Sequence, residues 1–572
     1  MNDETSPTAR HEWLALGGLL VIGAVLRAWD VSALGVDHFD EGVYAFSALG
    51  LTDGDQPRTF FPDQLLFSPP VHLTLVGVAY LLTGGASAVA AVAAAIATGT
   101  ATIAVLWGFL RRTFGPGVAL AAAVLLTFDT YHIGLCRTGL TDTTFALFFV
   151  LAVWAICAAL ERGGIRRALL AGLAVGLAWN TKYHGWFAAM TCGAALLCWC
   201  FRGRTQGTPL KATVVSFGVI CATAIASYLP WALFVQSTHG YRKLMHYQRG
   251  MLREGYLENL QIQAENLTFL SGPLDVAALG LAAAAVILLQ RRGRLNLWRA
   301  VAVVLPIVLI GVFVGAPSAR LALAVGSVLL ILARPAPLRA WVLLGWTGIF
   351  FFSAPLYHPY ARLLLPLQLS MAGLAAYSLD ALVTRVSDVV ETPETAAAAA
   401  SARPVAWISG GAAVLLAVVG FAFTQRAEQH SDPWRPATGS RVAAQRIAEL
   451  IPVGARTVVL GEPTVAFHLH LLGRPAFERV LAPDRELAST TETTYVVAGH
   501  YTRSSPQLRG GLARLGERLE HLADVQHPLP KDHRLLDDLM TAERVRQFLD
   551  APTEQFRLSV YRLNPIEPDN AR

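Results

Sequence analysis

The sequence predicts a polytopic all-α transmembrane bundle of about thirteen helices followed by a small C-terminal soluble α/β domain. Three observations predict it. Hydrophobic residues make up 54% of the 572 and charged residues 15%, with a mean hydropathy of +0.46, whereas a soluble chain carries about a quarter charged residues. Apolar stretches able to cross a bilayer, about 20 residues each, recur from Trp13 to Phe423 and then stop. From Arg426 onward short apolar runs with strand or helix spacing replace them.

The first span, 13–29, follows a short polar N-terminus with no small-residue cleavage site, which predicts a retained span and not a signal peptide. Basic residues gather in short loops: Arg111-Arg112, Arg162 with Arg166-Arg167, Arg202 with Arg204 and Lys211, Arg291-Arg292 with Arg294, and Arg334 with Arg339. The positive-inside rule makes these loops cytoplasmic, which also accounts for the net charge of +6 without a nucleic-acid partner. Val71–Leu82 must then stay out of the bilayer, as a juxtamembrane helix inside a long outer loop, residues 30–85. The remaining spans are 86–110, 117–130, 142–160, 167–180, 185–201, 212–235, 273–290, 299–316, 319–333, 339–354, 361–383 and 405–424.

This organisation gives a transmembrane domain over 1–383, a polar then Ala-rich cytoplasmic linker at 384–404, a last span at 405–425 and an extracytoplasmic domain at 426–572. In that domain a helix is expected over Ser440–Leu450 and strands at 457–460, 494–497 and 556–563. The tail has no nucleotide-binding glycine loop. The six cysteines lie in or beside apolar runs and form no disulfide or zinc pattern. The chain is expected in the cell (inner) membrane, N-terminus inside.

Residues able to do chemistry collect at outer junctions. The first outer loop holds Asp37, Asp40 and Glu41 in DHFDEGVYAF. An acid at the membrane surface gains basicity by partial desolvation and suits a general base; the alternative is a solvated acid or a helix N-cap. The next junction holds Asp129, His132, Arg137 and Asp142, where Asp142 could equally cap the following helix. Asn180-Thr181-Lys182-Tyr183-His184 and Tyr357-His358-Pro359-Tyr360-Ala361-Arg362 follow at later junctions. Their cations either snorkel to the interface or bind an anionic phosphate at the membrane face. The loop 236–272 is strongly basic for an outer loop, which fits an amphipathic surface helix on anionic lipid.

Taken together, FDEGVYA after span one, SPPVHLTLVGVAYL, RTGLTD and TKYHG resemble the C-type (GT-C) membrane glycosyltransferases, in particular the family 39 protein mannosyltransferase-like group and the bacterial aminoarabinose lipid A transferase-like group. The resemblance covers most of residues 10–425. It implies a polyprenyl-phosphate sugar donor, with Asp40 as the base and Glu41 as its helper or a metal ligand. Asp142 matches the acid of the second outer loop, Arg137 the arginine before it, and Lys182 the basic residue after a threonine. The family's His-Pro-Pro or Lys-Pro-Pro appears as Ser68-Pro69-Pro70, which removes one basic contact. An inverting displacement is implied, in which Lys182, Arg137 and Arg362 stabilise the departing phosphate; His184 and Tyr357 belong to the same binding clusters. The sequence leaves open whether a divalent cation shares that task, and whether the acceptor is protein, lipid or glycan. Two other readings compete: a transporter or flippase of lipid-linked sugars, and an assembly protein whose tail binds a partner. Gathering of the charges at outer junctions, not at the midplane of repeated halves, speaks against transport.

Overall fold

The computed structural model describes residues 7–52, 68–202, 210–238, 240–252, 254–271, 337–357, 360–390, 439–474, 483–528, 540, 542–552 and 555–565. The expected spans 273–290, 299–316, 319–333 and 405–424, and most of the linker, lie outside them.

The described helices of the bundle are α1 (Pro7–Ala28), α2 (Phe39–Thr52), α3 (Pro70–Leu82), α4 (Ala88–Phe114), α5 (Pro116–Thr127), α6 (Thr130–Cys136), α7 (Asp142–Arg162), α8 (Ile165–Trp179), α9 (Phe187–Arg202), α10 (Leu210–Thr238), α11 (Tyr241–Gly250), α12 (Tyr256–Ser271), α13 (Leu338–Ser353) and α14 (Leu365–Val390). Among the described residues, six helices are long and apolar enough to cross a membrane, and the bent pair α5–α6 adds a seventh. Helix α3, at 13 residues, is too short to span, as the sequence suggested. Helix α14 runs to Val390, beyond the expected end of its span at 383.

Turns follow local chemistry. Ser87 caps α4 by accepting from the Ala90 N–H at 3.1 Å. Gly115 reverses the chain between α4 and α5 at φ +103°, a conformation costly for any residue with a Cβ, and Pro116 opens the next helix.

The expected span 117–130 corresponds to α5, and the junction expected after it holds a further short helix, α6, bent by 61° from α5. Asp129 caps α6 by accepting from the His132 N–H at 2.9 Å. The carbonyls freed at the end of α5 are taken by Arg27 of α1, which is 0% exposed and donates to Leu126 O at 3.0 Å and Thr127 O at 3.3 Å. Its guanidinium also donates to His132 Nδ1 at 2.7 Å, so that nitrogen carries no proton. A helix can end inside an apolar bundle only when such orphaned carbonyls find donors.

The C-terminal domain contains α15 (Gly439–Leu450), α16 (Pro463–Leu471) and a four-stranded sheet in the order β1-β2-β4-β3. Its strands are β1 (Arg456–Leu460), β2 (Thr494–Ala498), β3 (Leu519–Pro528) and β4 (Gln555–Leu563). β1 and β2 are parallel and the other pairings antiparallel. The expected helix and three expected strands are present; β3 was not anticipated.

Helix α2 joins the two regions. Its residues Ala45, Phe46, Ala48 and Leu49 share one buried cluster with Val76 and Tyr80 of α3 and with Ala443, Ile447, Val465 and Phe467 of the C-terminal domain. Each fully buried large side chain contributes about 1.5–3 kcal/mol. Gly42 makes the seam possible, because a Cβ there would stand 2.4 Å from the Thr464 backbone nitrogen. Asp37 Oδ1 accepts from the Ser440 N–H at 2.6 Å, and His468 Nε2 lies 3.2 Å from Val36 O.

Candidate active site

Asp40 sits in the first turn of α2, and Arg362 in the short 3₁₀ turn Ala361–Leu364 that precedes α14. They form an ion pair at 2.6 Å, with the Arg362 side chain 10% and that of Asp40 28% exposed. Asp142 opens α7, and Lys182 follows the end of α8. These two pair at 2.6 Å in a more enclosed setting, 3% and 15% exposed. Burial pushes the Lys182 ammonium below its ordinary range; Asp142 pulls it back up, Arg362 lowers it and Asp40 raises it, so the two pairs act on one another.

A cavity of about 690 Å³ opens over this charged floor. Asp40, Lys182, His184, Tyr357 and Arg362 line it, whereas Asp142 is not among the lining residues and reaches the cavity only through its ion pair with Lys182. The apolar face of α11 (Tyr241, Leu244, Met245, Gln248), spaced i, i+3, i+4, i+7, forms one wall. The basic side chains Arg242, Lys243 and Arg249 of that helix are not among the lining residues, which fits the amphipathic helix expected in this loop. His239 and Arg253, and likewise His358, fall outside the described residues. Tyr357 donates to Gln248 Oε1 at 2.9 Å, tying α11 to the junction after α13, and burial pushes its phenol up to about 12. The ring of His184 packs edge-on to Phe145, with centroids 4.5 Å apart.

Two expected site residues point elsewhere. Glu41 is 2% exposed, and its carboxylate accepts the backbone N–H groups of Asp37, His38 and Gly139. Oε2 thereby closes the turn that enters α2 and Oε1 ties it to the loop at Gly139, and Glu41 is not among the residues that line the cavity. Arg137 donates to the carbonyls of Arg27 at 3.2 Å and of Trp29. It holds the C-terminal end of α1, where carbonyl dipoles favour a cation, and it too is absent from the lining.

The structure adds residues that the motifs did not mark. Tyr44, one turn after Asp40, lines the cavity, and burial, reinforced by Asp40, raises its phenol well above the usual range. The i, i+4 spacing from Asp40 was its only sequence signal. His72 is fully buried and held to about 4 by that burial, so it is neutral. Its Nε2–H donates to Gly139 O at 3.1 Å, which leaves Nδ1 to accept from the Thr144 hydroxyl at 2.9 Å. Gly139 is thus gripped at both its N–H and its C=O. Ser68, where the resemblance implied a basic residue, donates to Pro69 O at 3.2 Å. From the C-terminal domain, Tyr501 reaches the cavity.

Among the described residues no three His, Cys, Asp or Glu side chains converge as metal donors. Asp40 and Asp142 each have a cation on one oxygen, and Oδ2 of Asp142 is buried without a hydrogen-bond partner.

Residues 68–231 match the family described as dolichyl-phosphate-mannose-protein mannosyltransferase. A putative mannosyltransferase, YkcB of Bacillus subtilis, is 27% identical over 139 residues, which is 24% of this chain and 19% of that protein's length. ArnT from Cupriavidus metallidurans, solved with undecaprenyl phosphate bound, superposes with a TM-score of 0.56 over 97% of this chain and 98% of its own, at 14% identity. The apo oligosaccharyltransferase of Archaeoglobus fulgidus gives a TM-score of 0.53, at 14% identity, over 88% of this chain and 71% of its own. The chain is a multi-pass membrane protein, and its fold is that of the C-type membrane glycosyltransferases.

Proposed function

We propose that the chain is a glycosyltransferase that moves a sugar from a polyprenyl-phosphate carrier to an acceptor hydroxyl, with inversion, at the extracytoplasmic membrane face. The observation that carries this reading is the charged floor itself: two carboxylate–cation pairs, Asp40–Arg362 and Asp142–Lys182, under a cavity walled by aromatic and apolar side chains.

In the reaction, the Asp40 carboxylate takes the proton of the acceptor hydroxyl. The acceptor oxygen attacks the anomeric carbon, and the bond from that carbon to the phosphate oxygen breaks with its electron pair leaving on the phosphate. Lys182 and Arg362 meet the charge that develops there, in a site where partial burial strengthens them. Asp142 holds Lys182 in place, while His184 and Tyr357 shape the pocket around the phosphate. Glu41 and Arg137 act by positioning: Glu41 fixes the turn that presents Asp40, and Arg137 fixes the end of α1. No step is routed through a metal ion.

The ion pair on Asp40 gives the sequence of events. Paired with Arg362 at 2.6 Å, Asp40 has one carboxylate oxygen occupied by the guanidinium. When the carrier phosphate draws Arg362 to itself, that oxygen is released to meet the acceptor hydroxyl. Donor binding thereby switches on the base that the acceptor needs.

Asp40→Asn tests the reading. Transfer to acceptor should fall by about 10²–10⁴-fold, the usual worth of a general base, while binding of the polyprenyl-phosphate sugar persists. Transfer at the wild-type rate would remove Asp40 from the role. A protein that only carries lipid-linked sugars across the membrane would show no release of polyprenyl phosphate in either form.

A further inference from the structure

We propose that the C-terminal domain builds the acceptor subsite of this cavity: Tyr501, packed on Phe39 beside Asp40, is a specificity-determining residue that receives the ring of a saccharide acceptor. The inference rests on the transferase reading and narrows its acceptor from protein, lipid or glycan to a sugar.

The first argument is exposure. Among the described Phe, Tyr and Trp residues of the C-terminal domain, Tyr501 is the exposed one, at 38%. It lines the catalytic cavity. Its ring centroid lies 4.3 Å from that of Phe39, with the planes at 44°. Phe39 immediately precedes Asp40, so the aromatic pair stands next to the base.

The second argument is rigidity. Glu462 is 6% exposed, and its Oε1 accepts the Tyr501 N–H at 2.8 Å. The next turn is tied by Gly499 N–H donating to Thr502 Oγ1 at 3.1 Å. Position 499 must be glycine for Glu462 to come so close, since a Cβ there would stand 2.3 Å from Glu462 Oε1. A buried carboxyl group thus fixes the backbone that presents an exposed ring, the arrangement of a preorganised contact.

The third argument is the composition of the lining. Leu244, Met245, Met251 and Leu252 supply aliphatic surface suited to a polyprenyl chain. Phe39 and Tyr44, which flank Asp40 in sequence, and Tyr501 supply aromatic surface. One face of a pyranose carries several weakly positive C–H groups, which rest on the negative face of an aromatic ring, and its hydroxyls remain free for the base.

The test uses the full chain in detergent, as wild type, Tyr501→Phe and Tyr501→Leu. Leucine keeps the bulk and the backbone N–H to Glu462 while removing the ring face, and an unchanged melting temperature confirms folding. Ligand-observed saturation-transfer NMR is run with a panel of methyl hexopyranosides and with a threonine-bearing peptide. Release of polyprenyl phosphate is measured in parallel from a panel of undecaprenyl-phosphate sugars. Saturation should reach the pyranoside C–H protons in the wild type and Tyr501→Phe and fall at least fivefold in Tyr501→Leu. With donor present, Tyr501→Leu should raise KM for the pyranoside about tenfold, the size of one aromatic contact, and leave KM for the donor unchanged. Equal saturation in Tyr501→Leu, saturation of the peptide in place of the sugars, or a shift confined to donor KM overturns the inference. If the donor is consumed and pyranosides give no signal, the inference fails and the transferase reading stands. If no donor is consumed while pyranosides saturate, the transferase reading fails, and with it the role of acceptor.

Discussion

The floor of the cavity and the seam between α2 and the C-terminal domain use the same chemical group in opposite ways. On the floor, Asp40 and Asp142 each face a side-chain cation. In and beside the seam, Asp37 accepts from the Ser440 N–H, Glu462 from the Tyr501 N–H, and Glu41 from the N–H groups of Asp37, His38 and Gly139. A side-chain cation can move to an incoming phosphate. A backbone N–H cannot leave its place in the chain. The floor is therefore exchangeable and the seam fixed, and Asp40 and Glu41, neighbours in sequence, stand on either side of that boundary.

The contrast can be broken most directly on the floor. After Asp40→Asn, the largest loss belongs to Arg362→Gln and Lys182→Met, each expected to lower kcat/KM by about 10²–10³-fold, as removal of one preorganised charge contact does. Melting temperatures should barely move for Arg362→Gln. Steady-state kinetics with a labelled donor reads the effect, and a loss confined to stability would show that the pairs only hold the fold.

Glu41→Gln sharpens the same boundary from the other side. The amide presents an N–H₂ where two acceptor oxygens are required, leaving a buried backbone donor unpaired at a cost of about 1–3 kcal/mol. Thermal unfolding should record that destabilisation, and the folded fraction should retain most of its kcat. A collapse of kcat with full stability would make Glu41 a participant in the chemistry.

The seam should also respond to pH through Glu462, whose carboxyl burial pushes up from 4.5 to about 8. With a folded pKa above the unfolded one, the folded state holds the extra proton between these values. Stability from this group is complete below pH 4.5 and is lost as pH rises through about 8, with a slope of at most about 1.4 kcal/mol per pH unit. Glu462→Gln should flatten that part of the profile, seen as unfolding temperature against pH. The smallest effect is expected far from both regions. Arg111→Gln breaks an ion pair with Glu12 whose arginine is 36% exposed, and should change stability by no more than about 1 kcal/mol.

Among the described residues six expected spans, and a seventh in the bent pair α5–α6, were legible because lipid imposes an apolar length that no other context requires, whereas α8 and α14, at the expected spans 167–180 and 361–383, are not among the helices that meet that measure. Helix α6 and its bend from α5 were missed, since the donor that permits the bend, Arg27, lies about a hundred residues upstream. Strand β3 was missed for another reason. That strand pairs with β4 at the edge of the sheet, a register shift between His521 and Ala523 interrupts its alternation, and its buried residues are Val525 and the polar His527, so little apolar periodicity marks it. In the site, Asp40, Asp142, Lys182, His184, Tyr357 and Arg362 were marked by their charge or polarity at outer junctions, and they do meet. Glu41 and Arg137 carried the same marks but are consumed by backbone partners, which residue type alone does not reveal. Tyr501 had no mark at all, because an exposed tyrosine in a soluble domain is ordinary until the fold places it over a cavity.

Arg27 has a consequence for the birth of the chain. Its carbonyl partners, Leu126 and Thr127, are synthesised about a hundred residues after it. An unpartnered arginine at the centre of a membrane helix is disfavoured by about 2.5–3.5 kcal/mol on insertion scales, but Arg27 is the next-to-last residue of α1, where a long side chain can turn its guanidinium to the aqueous interface. Helix α1 can therefore enter lipid first, and its arginine exchanges water for the α5 carbonyls only when the later helices pack against it.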